Sequence, residues 1–163
     1  MPAADGRQKG ITLLLIALSG GTDEQRVAIA DGLVSSGKES LAAYAMTSPS
    51  YRAPTGRARI LRAVLDRAVH AAAETPASGL VIVHCLTEDE AEEVRAQGGV
   101  IWHVYTSPSR LVEIRKGDSI ITTKGESFRH VLTPLDALSE LVLPRLRSIA
   151  PLCAAAVDAL AKA

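Results

Sequence analysis

The chain has 163 residues, 47% of them apolar and 22% charged, with 18 basic and 18 acidic side chains and zero formal net charge. That length predicts a single domain with a real core, and that composition excludes disorder along the whole chain. Zero net charge supplies no global basic field for nucleic acid, and five aromatic residues (Trp102, Phe128, Tyr44, Tyr51 and Tyr105) are too few for stacking platforms.

Residues 1–10 read as a polar, flexible leader, and 11–163 as one α/β domain. Ile11 to Leu18 is a nearly continuous apolar run, the pattern of a strand buried on both faces. Ser19-Gly20-Gly21-Thr22-Asp23 is a turn ending in a helix cap. Glu24 to Ser36 follows as a helix with Val27, Ile29, Ala30, Leu33 and Val34 inward and Gly37 at its end. Leu41 to Met46 is a short second strand. Thr47 to Gly56, with two prolines, is a loop. Arg57 to Glu74 carries Ile60, Val64, Leu65, Ala68 and Ala72 at helical spacing.

Leu80 to Leu86 is a third apolar strand. Thr87 and Glu90 form a capping box for a helix to about Gln97, which Gly98-Gly99 ends. Val100 to Tyr105 is a fourth strand. Pro108 to Arg115 is predicted as a short helix, Asp118 to Thr123 and His130 to Leu132 as short strands. Asp136 to about Ala161 is predicted as a helix broken near Pro144 and Pro151. Alternating strands and helices predict a three-layer α/β/α sandwich with a mostly parallel sheet.

In such sheets ligands bind outside the carboxyl ends of the strands, so the turn Ser19, Gly20, Gly21, Thr22 is the first candidate site. A glycine turn opening a helix makes an anion site from converging amides and the helix dipole. A phosphate-binding P-loop would need Gly-x-x-x-x-Gly-Lys-Ser/Thr here, and the nearest charged side chains are instead Asp23 and Glu24. Gly32 to Lys38 matches Gly-x-x-x-x-Gly-Lys, but Glu39 follows, and the match lies at a helix end rather than after a strand.

Three stretches carry a resemblance: the opening strand, turn and helix with Val27-Ala28 and Leu33; LVIVHCLTEDEAEEVRAQGGVIWHVY (80–105); and VLTPLDALSELVLPRL (131–146). Together they resemble the P-loop nucleotide-kinase fold, nearest to phage-type deoxynucleoside monophosphate kinases, over about half of the chain. The chain departs from that family where phosphate chemistry is done. Glu24 lies about where the family's lysine stands, and His84-Cys85-Leu86 replaces an Asp-x-Arg-type triplet. Phosphoryl transfer relies almost entirely on positioning and positive electrostatics. The resemblance therefore implies a catalytically degenerate member with a degenerate Walker A, of phage or mobile-element descent. It would act by binding a protein partner or a nucleotide. The alternatives are an active nucleoside monophosphate kinase in which Arg26 or Lys38 supplies the missing charge, with ATP and magnesium as its cofactors, and a structural or assembly protein.

Tyr51 to Arg67 holds Arg52, Arg57, Arg59, Arg62 and Arg67 against Asp66, a local net of +4. Arg52, Arg57 and His84 are the candidate substrate-binding residues, the arginines by bidentate phosphate contact. Glu88, Asp89, Glu90, Glu92 and Glu93 with Arg95 give a net of −4. Two opposite patches on a neutral chain suit a protein partner or a head-to-tail homodimer. Adjacent strand residues point to opposite faces, so His84 and Cys85 cannot easily share a metal, and His103 is read as a satisfied core imidazole. No catalytic residue and no metal ligand is assigned. Cys85 and Cys153 fit a reducing compartment, and no apolar run is long enough to span a bilayer, so a cytoplasmic protein is expected.

Overall fold

The computed structural model describes residues 13–46, 54–72, 78–125 and 127–161. Its elements, in chain order, are β1 (Leu14–Ser19), α1 (Asp23–Ser35), β2 (Leu41–Tyr44), α2 (Pro54–Ala71), β3 (Gly79–Ile82), α3 (Glu88–Ala96), β4 (Val100–Val104), β5 (Ser119–Ile121), β6 (Val131–Leu132) and α4 (Pro134–Ala161). The six strands form one sheet in the order β2-β3-β1-β4-β5-β6, with every pairing between these strands parallel. This all-parallel α/β arrangement is compatible with a P-loop-like fold.

The layers follow from the handedness of the connections. The chain leaves β1 toward β2 on one side and then works back across the sheet through β3 to β4. Right-handed crossovers running in opposite directions put their helices on opposite faces. Leu14, Ile16 and Leu18 of β1 pack with Trp102 and Val104 beneath α1 (Ile29, Leu33) and α4 (Ala137, Leu138). Leu13, Leu15, Ala17, Ile82 and Ile101 pack on the other face beneath α2 (Leu61, Leu65) and α3 (Ala91, Val94). β1 is buried at every position because it has a helix layer on each side, which is why its sequence is a run and not an alternation.

Several expectations shift. Val27 and Val34 of α1 are exposed, and Arg26 is buried in place of an apolar neighbour. On α2 the inward stripe runs through Ala58, Leu61 and Leu65, continued by Ala72 just past its end, and Ile60 faces solvent. Pro108 to Arg115 forms no helix: Glu113 gives its N–H to the Glu88 carboxylate and its carbonyl to Arg95, so α3 side chains take backbone groups a helix would use. The last helix does not break at Pro144 or Pro151, since each proline removes only one ladder donor and the turns on either side continue. The predicted loop lies partly outside the described residues, and α2 already begins at Pro54 within it.

Candidate functional site at the carboxyl edge of the sheet

Successive connections run to opposite sides after β1 and after β4, so the topological switch point lies between these adjacent strands. Ser19 and His103 are register partners there. The turn that follows β1 reaches its shape through two glycines, Gly20 at φ +76° and Gly21 at φ +64°. A Cβ on Gly20 would stand 2.7 Å from the Ser107 carbonyl oxygen, so only glycine allows the segment after β4 to close on this turn.

Two of the turn's amides and two of its carbonyls are bonded internally. Gly21 N–H donates to Ser107 O at 2.7 Å, and Thr22 N–H donates to Gln25 Oε1 at 3.0 Å in a reciprocal capping box. Arg26, 3% exposed, turns back from the first turn of α1. Its Nη1 donates to the carbonyls of Gly20 (2.6 Å) and Gly21 (3.1 Å), its Nη2 to Asp23, and its Nε to His84 Nδ1 (3.2 Å). The turn thus presents two carbonyls to an internal guanidinium, and its Gly21 and Thr22 amides are not free for an anion. Ser19 is fully buried, and only Thr22 of the four candidate turn residues is exposed.

His84 is half-buried beside this guanidinium. Burial, then the neighbouring Arg26 and Arg57 charges, lowers its pKa, so its neutral form is favoured. With Nδ1 accepting from Arg26, its Nε2–H is a donor.

Arg57 is placed differently from the phosphate-gripping residue the sequence suggests. It is buried on α2 and pairs bidentately with Glu90 of α3, Nε to Oε2 at 3.2 Å and Nη2 to Oε1 at 3.0 Å, both side chains 1% exposed. Nη2 also donates to the His84 carbonyl at 3.1 Å. Glu90 further accepts from Thr87 N (3.1 Å), Thr87 Oγ1 (2.9 Å) and Leu86 N (3.3 Å). Arg62 pairs with Glu93 beside it. The basic and acidic segments therefore meet each other across α2 and α3 within one chain, because the two helices pack side by side. Arg52 lies outside the described residues.

His103, expected as a satisfied core imidazole, belongs to a second polar group. His103 Nε2 bonds Asp118 Oδ2 at 2.9 Å, and the same oxygen accepts from Arg95 Nη2 and Arg115 N–H, each at 2.9 Å. Burial pushes the Asp118 carboxyl up, but those three donors outweigh it and hold it below the ordinary range. Cys85 is fully buried, and burial pushes its thiol well above the usual range, so it is no nucleophile. Among the described residues no group of three His, Cys, Asp or Glu side chains could hold a metal ion, and no helix is long and apolar enough to cross a membrane.

A cavity of about 440 Å³ opens on the α1/α4 face. Ala28 and Ile29 of α1 wall one side and Pro134 and Leu135 of α4 the other, with Gln25, Thr122, Thr123 and Thr133 as polar groups. Among the described residues, Lys124 is its one charged lining residue. Nothing in the sequence pattern marks this cavity, since its walls come from α1, the end of β5 and the start of α4. No protein-family model, no curated protein and no solved structure matches the chain.

Proposed function

We propose that the protein is a degenerate P-loop-kinase-like binding protein that does not transfer phosphoryl groups, and that it takes a nucleotide in the cavity between α1, β5 and α4. The observation that carries this reading is the internally satisfied turn after β1. The Gly21 and Thr22 amides and the nearest cation, Arg26, are already bonded to Ser107, Gln25, Gly20 and Gly21. A triphosphate there would have to displace all of them and meet Asp23 and Glu24. The kinase alternative finds no cation among the proposed substitutes. Arg26 is committed to the turn's carbonyls, and Lys38 follows the far end of α1, roughly 20 Å away at 1.5 Å per residue.

The cavity has the volume of ordinary small-ligand sites. Its apolar walls, its hydroxyls and, among the described residues, the one ammonium group of Lys124 suit a base or nucleoside carrying one phosphate better than a triphosphate. A protein partner is less favoured, because Arg57 and Arg62 of the basic segment are neutralised by Glu90 and Glu93. Calorimetry and thermal shift with deoxynucleoside monophosphates, and with ATP with and without magnesium, test the proposal. Binding of a monophosphate that is lost in Ala28→Trp and weakened in Lys124→Ala supports it. At 100 times the dissociation constant such a ligand stabilises the fold by about 2.7 kcal/mol. Phosphate transfer from ATP to a monophosphate sinks the degenerate reading, and absence of any nucleotide binding sinks the cavity assignment.

A further inference from the structure

Two side-chain atoms in the described core are fully buried and without a hydrogen bond: Ser19 Oγ and His103 Nδ1. They belong to register partners on neighbouring parallel strands, so both side chains leave the sheet on the same face, the one covered by α2 and α3. Their chemistry is complementary. Asp118 Oδ2 already accepts from Arg95 and from the Arg115 amide, so the carboxylate is ionised and can only accept. His103 must then donate to it from Nε2, and a neutral imidazole that donates from Nε2 accepts at Nδ1. Ser19 offers a hydroxyl proton. A donor and an acceptor thus share one enclosed face without bonding to each other.

Leaving both groups unpaired would cost the full desolvation of each. Buried polar groups in native proteins are satisfied by protein or by enclosed water, and a water needs two to four such partners. We infer that Ser19 and His103 form a binding site for a single buried water molecule, which completes a hydrogen-bond relay Ser19–water–His103–Asp118–Arg95.

The relay lies at the topological switch point. It joins the last residue of β1 to the segment 105–118, whose other ties to α3 are Arg95 to the Glu113 carbonyl, Glu88 to the Glu113 amide, and Arg115 to Glu88 and Glu92. Its role is to hold that segment down on the glycine turn. Ser19 is not a nucleophile for an outside substrate, because no part of it reaches solvent.

The test uses the full-length protein. Nitrogen-15 NMR of the imidazoles should give His103 as the Nε2–H tautomer, with Nδ1 an acceptor whose resonance moves in Ser19→Ala while Nε2 stays. Amide hydrogen exchange in 105–118 should then rise in Ser19→Ala. A high-resolution crystal structure should show one water within hydrogen-bond distance of both atoms. In a cycle of Ser19→Ala and His103→Phe, the double variant should be more stable than the sum of the singles by about 3- to 10-fold in the unfolding constant. A proton on Nδ1, a direct Ser19–His103 bond with no water between, or an additive cycle overturns the inference. The wild-type tautomer and density decide it even if a variant does not fold.

Discussion

Replacing Arg57 by alanine tests whether its charge is structural or kept for a ligand. Both members of the Arg57–Glu90 pair are 1% exposed, and they share two bonds across α2 and α3. Removing one member of such a pair leaves an uncompensated buried charge and costs about 3–5 kcal/mol. Glu90 keeps three bonds from Leu86 and Thr87 after the change, which places the loss near the lower end of that range. For a chain of this size each kcal/mol shifts the melting temperature by about 2–4 °C, so Arg57→Ala should melt at least roughly 6 °C below wild type. Arg57→Met with Glu90→Leu removes both charges together and should recover most of the loss, because the desolvation cost disappears with the attraction. Urea unfolding and calorimetry of wild type, the singles and the double provide the measurement. A loss under about 1 kcal/mol in Arg57→Ala, or a double variant as unstable as the sum of the singles, would refute the structural assignment and return Arg57 to the ligand-binding candidates.

The turn glycines should separate strain from collision. Gly20→Ala adds a Cβ 2.7 Å from the Ser107 oxygen and keeps a positive φ, whereas Gly37→Ala has the same handedness with nothing within 4 Å. Denaturant unfolding should show about 1–2 kcal/mol lost for Gly37→Ala and clearly more for Gly20→Ala, and equal losses would contradict the packed turn. Burial and the Arg26 charge lower the His84 pKa, so the unfolded chain takes up a proton near pH 6.5 that the folded chain refuses until lower pH. Stability should therefore fall between pH 7 and 5, and His84→Gln should flatten that part of the stability–pH curve. Asp118 works in the same direction at lower pH, with stability present at neutral pH and lost below about pH 4, a loss that Asp118→Asn removes. In a Cys153→Ser background the buried Cys85 should not react with a disulfide reagent in the native state, and should react once the chain is unfolded in urea.

The sequence by itself determined the class of fold and the local ends of its elements. Ile16, Leu18, Val81, Ile82 and Ile101 stand in apolar runs that only a sheet covered on both faces can bury, and period and run length are properties of the chain alone. Thr87 with Glu90 capped α3 as expected, because the cap is closed within four residues. Tertiary structure decided everything that depends on which distant segments meet. Arg57 and Glu90 are 33 positions apart, and neither carries a mark of the other until α2 and α3 lie side by side. The Ser107 oxygen fills the space beside Gly20, Arg26 folds onto the carbonyls of a turn whose amides were expected to face phosphate, and Pro108 to Arg115 gives its backbone to α3 instead of to a helix. The orphaned pair Ser19 and His103 comes together only because the parallel register sets one beside the other. Hydrophobic periodicity is a local constraint written in consecutive residues. Satisfying a buried charge or hydroxyl depends on a partner that the chain brings near only by folding.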